Sequence, residues 1–198
     1  MNLEDVIDMF PDIEPFLIRK WHYAFYTFFD IIGNDVIEWR DFQQLIDAIG
    51  AVRGVGGEDH IAARISLTDV WHSMCETMNK DYKEKEEHLK LRISSKESAD
   101  WEREHGHQVL ELEVLEMVIA KIFACPRDQL VDLSEYVEVL GYFSIPREDA
   151  IACFDKFAVN PEGGQFNSID YKTFLSLWRQ YFHSTDINDA GNHLLGTP

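Results

Sequence analysis

The sequence predicts an all-α chain, compact, built from four helix–loop–helix units in two pairs. Apolar residues recur at helical spacing through most long segments, and strand-like alternation is nearly absent. One twelve-residue loop pattern also returns, with unequal fidelity, between successive helices.

The elements follow in order. Trp21, Phe25, Phe28 and Phe29 form a first apolar stripe, and Phe42, Leu45, Ile46 and Ile49 form the next. Ile61, Ile65, Trp71, Met74 and Met78 make a third. Within 101–123, Leu112, Leu115, Ile119 and Ile122 share one helical face. Pro146 opens a helix that buries Ile151, Phe154 and Phe157, since proline suits a helix start. The last long helix carries Phe174, Trp178, Tyr181 and Phe182. Short polar or glycine-bearing segments at 33–35, 53–59, 126–129 and 160–164 separate the helices. Residues 80–90 are dominated by charge, as in a solvated helix face or loop. The reading is eight helices in two halves, 1–100 and 101–198. An insertion near 80–100 interrupts the second hand and is a candidate partner surface.

With 198 residues, 45% of them hydrophobic, the chain can bury a sizeable core. Its net charge of −18 repels nucleic acid and anionic membranes and favours cations or basic partners. Cys75, Cys125 and Cys153 include no CxxC pair, which fits a reducing compartment. The segment 1–15 is acidic and broken by Pro11 and Pro15, unlike a secretory signal, and no apolar run has the length of a membrane span. The expectation is a soluble cytoplasmic protein.

A calcium loop of twelve residues, the EF-hand, draws side-chain oxygens from positions 1, 3, 5, 9 and 12 and a carbonyl from position 7, with glycine at 6. Residues 30–41 supply Asp30, Asn34, the Val36 carbonyl, Glu38 and Asp41 at positions 1, 5, 7, 9 and 12, with Ile37 as the apolar eighth residue. Ile32 removes the third ligand. Asp35 takes the glycine position, where a positive φ is required, and Asp41 is one methylene shorter than the usual Glu. Calcium held weakly, magnesium in its place, or no ion at all are the readings this donor set leaves open.

The other loops are poorer. In the second, Asn79 and Asp81 resemble a loop start and Ile93 and Glu97 a loop end, too far apart for one site. In the third, 124–135, Ala124 and Pro126 delete two ligands, leaving Asp128, Asp132 and Glu135 around an apolar Val131. The fourth, 158–170, reads as a loop with one extra residue near Gly163 and Gly164. It has Phe166 as the apolar eighth residue and Asn160, Glu162 and Asp170 as side-chain ligands.

Several stretches resemble the calexcitins and the invertebrate sarcoplasmic calcium-binding proteins. These are Phe29-Asp30 with Val36-Ile37-Glu38-Trp39-Arg40-Asp41-Phe42, then Ser144-Ile145-Pro146, Leu177-Trp178-Arg179-Gln180-Tyr181-Phe182, and the tail Gly191-Asn192-His193-Leu194-Leu195-Gly196-Thr197. The resemblance implies a compact cytosolic protein with four hands in two pairs, calcium binding, and signalling linked to membrane excitability and nucleotide binding. An insect juvenile hormone diol kinase is similar to the same group. The family's metal residues carry over only to Asp30, Asn34, Val36, Glu38 and Asp41 of the first hand.

Rival chemistries are thinly supported. Gly54-Val55-Gly56-Gly57 is glycine-rich, but Glu58 and Asp59 follow where a phosphate loop needs Lys and Ser or Thr; it reads as a helix–helix connection. His105 and His107 with Cys75 lack a second ligand pair for zinc. Trp21, Phe25, Trp71, Trp101, Phe154 and Trp178 could line a cavity for a small hydrophobic ligand, although such stripes usually form plain core. The reading is therefore a binding or interaction protein rather than an enzyme, with a divalent cation as its first partner.

Overall fold

A computed structural model describes residues 2–35, 37–77, 90–91, 130–160 and 162–196. Helix α1 spans Leu3–Met9 and α2 spans Pro15–Ala24, with Pro15 in the first turn, where its missing N–H costs nothing. A π-helical turn, Phe25–Phe29, continues α2 to the first loop. Strand β1 (Ile37–Glu38), α3 (Trp39–Arg53) and α4 (Glu58–Thr77) complete the described N-terminal elements, with β2 at Lys90–Leu91. In the C-terminal half come β3 (Leu130–Asp132), α5 (Leu133–Tyr142), α6 (Arg147–Phe157), β4 (Ser168–Asp170) and α7 (Tyr171–His183). A 3₁₀ turn at Ala190–His193 closes the chain. The expected all-α architecture is what the described residues show, the strands being only short loop ladders. The expected helix within 101–123 lies outside the described residues, as do Cys125, Trp101, His105 and His107.

Each ladder joins two loops. Ile37 faces Leu91 across β1 and β2, and Val131 faces Ile169 across β3 and β4, both antiparallel. This corrects the fourth loop: Ile169, 5% exposed, is its apolar eighth residue, whereas Phe166 is 47% exposed. The partner of Ile37 is likewise Leu91, two residues before Ile93.

One buried cluster takes side chains from both halves, including Phe28, Ile46, Trp71, Tyr136, Phe154, Phe174, Trp178 and Leu194. Each such side chain, fully buried, contributes about 1.5–3 kcal/mol of transfer free energy. The aromatic residues considered for a ligand cavity pack against one another and their neighbours. Trp71 lies 5.4 Å from the Phe42 ring, Phe154 5.2 Å from Phe157, and Trp178 4.7 Å from Phe182. Trp21 donates its indole N–H to the Phe182 carbonyl at 2.9 Å. Among the described residues, the indole N–H of Trp178 is buried without an acceptor.

Helix α4 turns inward only part of the face its spacing suggested, keeping Trp71 but not Ile61 and Ile65. Leu67, Val70, Trp71 and Cys75 are buried, while Ile61 and Ile65 are 50% and 58% exposed. The sequence 54–57 joins α3 to α4 as a tight connection. Gly54 and Gly56 have positive φ there, and the Gly56 N–H is received by His60 Nδ1 at 2.9 Å. The two halves also meet through α3 and α5, where Arg53 donates from Nε and Nη2 to the two oxygens of Glu138 at 2.5 and 2.8 Å. Among the described residues, no helix is long and apolar enough to cross a membrane.

Candidate metal site

The first loop begins where the π turn ends. The Asp30 N–H bonds the Phe25 carbonyl at 2.9 Å, an i to i−5 bond, so Asp30 enters the loop one residue later than an α-helix would deliver it. From there its carboxylate gathers the loop. Oδ1 accepts the N–H groups of Gly33 and Asn34, both at 2.9 Å, and Oδ2 accepts that of Asp35 at 2.8 Å. Gly33 has a φ of 77° and Asp35, at the glycine position, a φ of 61°. The expected positive φ at Asp35 is therefore present, in a residue type that tolerates it.

The outgoing side is organised by Asp41 in the first turn of α3. Its Oδ1 accepts the Ile32 N–H at 2.9 Å and its Oδ2 accepts the Glu38 N–H at 2.8 Å. Glu38, the N-cap of α3, receives Asn34 Nδ2 at 2.5 Å and Arg40 Nη2 at 3.1 Å on Oε1. Asp30, Glu38 and Asp41 are buried at 1%, 7% and 1% exposure, and Asn34 is exposed. Burial pushes the Asp41 carboxyl above the usual carboxylate range, the Glu38 and Ile32 amides partly restrain it, and the charges of Asp30 and Glu38 add to the rise. The structure thus brings four of the five expected residues into one loop. The fifth, Val36, lies outside the described residues.

Three buried carboxylates in one loop suit a hard, oxygen-coordinated cation by donor chemistry. Their oxygens are engaged with amide N–H groups, which offsets burial of charge without a cation. By distance criteria, no cluster of three or more His, Cys, Asp or Glu side chains poised for a metal occurs among the described residues. Position 3 supplies an N–H to Asp41 Oδ1 and no oxygen, so the loop is one donor short of the usual set.

The later loops are arranged differently. Asp132 is the N-cap of α5 and exchanges hydrogen bonds with Glu135. The Glu135 N–H reaches Asp132 Oδ1 at 2.8 Å, and the Asp132 N–H reaches Glu135 Oε2 at 3.2 Å. Ala124, Pro126 and Asp128 lie outside the described residues, as do Asn79, Asp81, Ile93 and Glu97 of the second loop. In the fourth loop, Ala158 ends α6 with φ −88° and ψ 58°, close to Asp30 at −88° and 67°. Ala158 is therefore the first loop residue, and it has no carboxylate. Asp170 is the N-cap of α7, accepting the Thr173 N–H at 2.7 Å, so it stands where Glu38 stands and Thr173 where Asp41 stands. The loop accordingly runs from Ala158 to Thr173, sixteen residues, so it carries four extra residues rather than one. It is folded as a small hairpin held by Asn160, whose Oδ1 receives the Glu162 and Gly164 N–H groups at 3.0 and 2.7 Å. Glu162 and Asp170 are exposed.

Residue-by-residue reading missed a buried cation of the protein's own. Lys20 on α2 donates from Nζ to Asn192 Oδ1 at 2.9 Å, to the Ser184 carbonyl at 2.7 Å and to the Gln180 carbonyl at 3.4 Å. The ammonium also sits 4.7 Å from the centre of the Phe16 ring. Burial pulls its pKa down to about 8, with the charge of Asp189 pulling it back up. The available signal was the tail motif itself. Gly191 lies so close to the Leu177 carbonyl and Gln180 that a Cβ would stand 2.4 Å from each. Leu194 and Leu195 are fully buried, and their carbonyls accept Tyr136 Oη at 2.9 Å and Tyr23 Oη at 3.0 Å.

No family model matches the chain. Over 201 residues it is 25% identical to Calexcitin-1 of Caenorhabditis elegans, covering 99% of this chain and 94% of that protein. Its fold is similar to that of a sarcoplasmic calcium-binding protein from amphioxus. The TM-score is 0.62 at 20% identity, covering 94% of this chain and 99% of the other. With its helix–loop–helix pairs and their ladders, this chain is thus similar from end to end to a calexcitin in sequence and shares the fold of a sarcoplasmic calcium-binding protein.

Proposed function

We propose that the protein is a calcium-binding EF-hand protein of the calexcitin and sarcoplasmic type in which only the first hand takes up an ion, and takes it weakly. The observation that carries this reading is the burial of Asp30, Glu38 and Asp41 together in one loop. Asp30, Glu38 and Asp41 would hold the ion, with Asn34 and the Val36 carbonyl as further oxygens. Calcium accepts six to eight oxygens in flexible geometry, and a bound ion would supply the positive charge that the amides now supply in part. Affinity is low because Ile32 contributes no oxygen and five backbone N–H bonds compete for the same carboxylates. Magnesium completing its shell with water is the natural competitor at such a site.

The other hands serve as scaffold in this reading, since their surviving carboxylates cap helices. The division into halves at 1–100 and 101–198 is part of the same reading. The buried thiols of Cys75 and Cys153 and the acidic charge support a cytoplasmic signalling or buffering role. Calorimetric titration of metal-free protein with calcium, with and without magnesium, tests the proposal. One weak site lost in Asp30→Ala is expected. Several tight sites, or a site that survives Asp30→Ala, would overturn it.

A further inference from the structure

The sixth position of the first loop makes the steepest demand on its backbone. The chain turns sharply there, through a positive φ, which is why a calcium loop ordinarily places glycine at that position. Here the residue is Asp35, with a φ of 61°. A side chain in the left-handed region is disfavoured by the contact of its Cβ with the following carbonyl, less so for Asp than for bulkier residues. The turn at Asp35 is thus held against a local cost that glycine would not carry.

A tyrosine on the entering helix meets that cost. Tyr26 Oη donates to Asp35 Oδ1 at 2.5 Å, linking residues nine positions apart. Tyr26 belongs to the π turn Phe25–Phe29, so the donor is built into the segment that leads into the loop. Its ring packs against those of His22 and Phe25, with centroids 4.6 and 4.9 Å away, which fixes where the hydroxyl points. Asp35 is also the residue whose backbone N–H donates to Asp30 Oδ2 at 2.8 Å. That oxygen takes one N–H where Oδ1 takes two, which leaves Oδ2 a lone pair for a cation in the same geometry.

We infer that Tyr26 is a positioning residue for the first hand: its hydroxyl, through the Asp35 carboxylate, holds the sixth loop position in the left-handed turn that cation uptake requires. This rests on the reading of the first hand as the ion site. The contact is made with position 6 already turned, so it raises the share of molecules ready to bind, and apparent affinity scales with that share. Removing the hydroxyl therefore weakens binding. Glycine at position 35 takes the same φ without a Cβ in the way, and leaves Tyr26 no carboxylate to hold.

Calorimetric calcium titration of the full chain tests this as a cycle of wild type, Tyr26→Phe, Asp35→Gly and the double variant. Phenylalanine keeps the ring and its packing on His22 and Phe25 and deletes only the hydroxyl. Tyr26→Phe should weaken calcium binding about three- to tenfold, the fold-change of one hydrogen bond, and should change nothing once position 35 is glycine. The charge lost in Asp35→Gly is lost from both members of that pair, so it drops out of the comparison. Unchanged or tighter binding in Tyr26→Phe, or weakening as large with glycine at 35 as with aspartate, would overturn the role of Tyr26 and leave the ion site standing. Absence of any calcium binding by the wild type would overturn both.

Discussion

Asp41 Oδ1 receives the backbone N–H of Ile32 at 2.9 Å, so the last carboxylate of the first loop closes on the position that lacks a ligand. The loop keeps its shape through this contact and those of Asp30. In the proposed reading, the side chain at position 32 is what keeps a third-position oxygen out of the site.

Ile32→Asp restores an oxygen at the third position. Calcium affinity is expected to rise about tenfold or more, since ligand charge count tunes such loops over several decades. The same variant should be less stable than wild type without calcium, because a fourth carboxylate joins Asp30, Glu38 and Asp41. Titration calorimetry and metal-free thermal unfolding read the two effects.

Asp30→Ala removes the acceptor for three loop amides. Loss of stability of about 1–3 kcal/mol is expected from unpaired donors, some of which water can reach. Urea unfolding of the calcium-free variant measures it, and a change within error would mean that the amide nest contributes nothing to the fold.

Gly191→Ala places a methyl group against the Leu177 carbonyl and the Gln180 side chain. The strain should cost about 1–3 kcal/mol, as for other overpacked sites, and should lift the tail before the rest of the chain unfolds. Proteolysis cutting first near 184–190 in the variant, and not in wild type, is the expected readout.

Burial pushes the Cys153 thiol up to about 11, with the charge of Asp149 adding to the rise and Lys156 opposing it. A raised thiol pKa lowers the thiolate fraction at a given pH, to about one in a thousand at pH 8. Alkylation of Cys153 should therefore be slow at pH 8 and become fast only on unfolding. Peptide mapping by mass spectrometry after iodoacetamide distinguishes this from ready labelling of the folded protein.

The helices and the first loop were legible because their signals are local. Apolar spacing marks Phe42, Leu45, Ile46 and Ile49 as one face whatever they pack against, and all four are buried. Loop positions 1, 5, 9 and 12 are fixed offsets, so Asp30, Asn34, Glu38 and Asp41 could be read by counting. What failed depended on register or on distant partners. In α4 both candidate faces carry isoleucine or leucine, and only packing against α3 selects Leu67 and Val70 over Ile61 and Ile65. In the fourth loop, strand pairing with Val131 chooses Ile169, which shifts Asp170 from the twelfth position to the helix cap. Nothing beside Lys20 in the sequence marks it as buried, because Asn192 and Ser184, which cage it, lie more than 160 residues away along the chain.

The fork between Arg53 and Glu138 has a mechanical consequence. It ties the last turn of the first hand's outgoing helix to the middle of the third hand's, at the seam between the halves. Swinging α3 away from α5 would break both charged contacts at once, at a cost that solvent screening keeps small because the Arg53 side chain is 41% exposed.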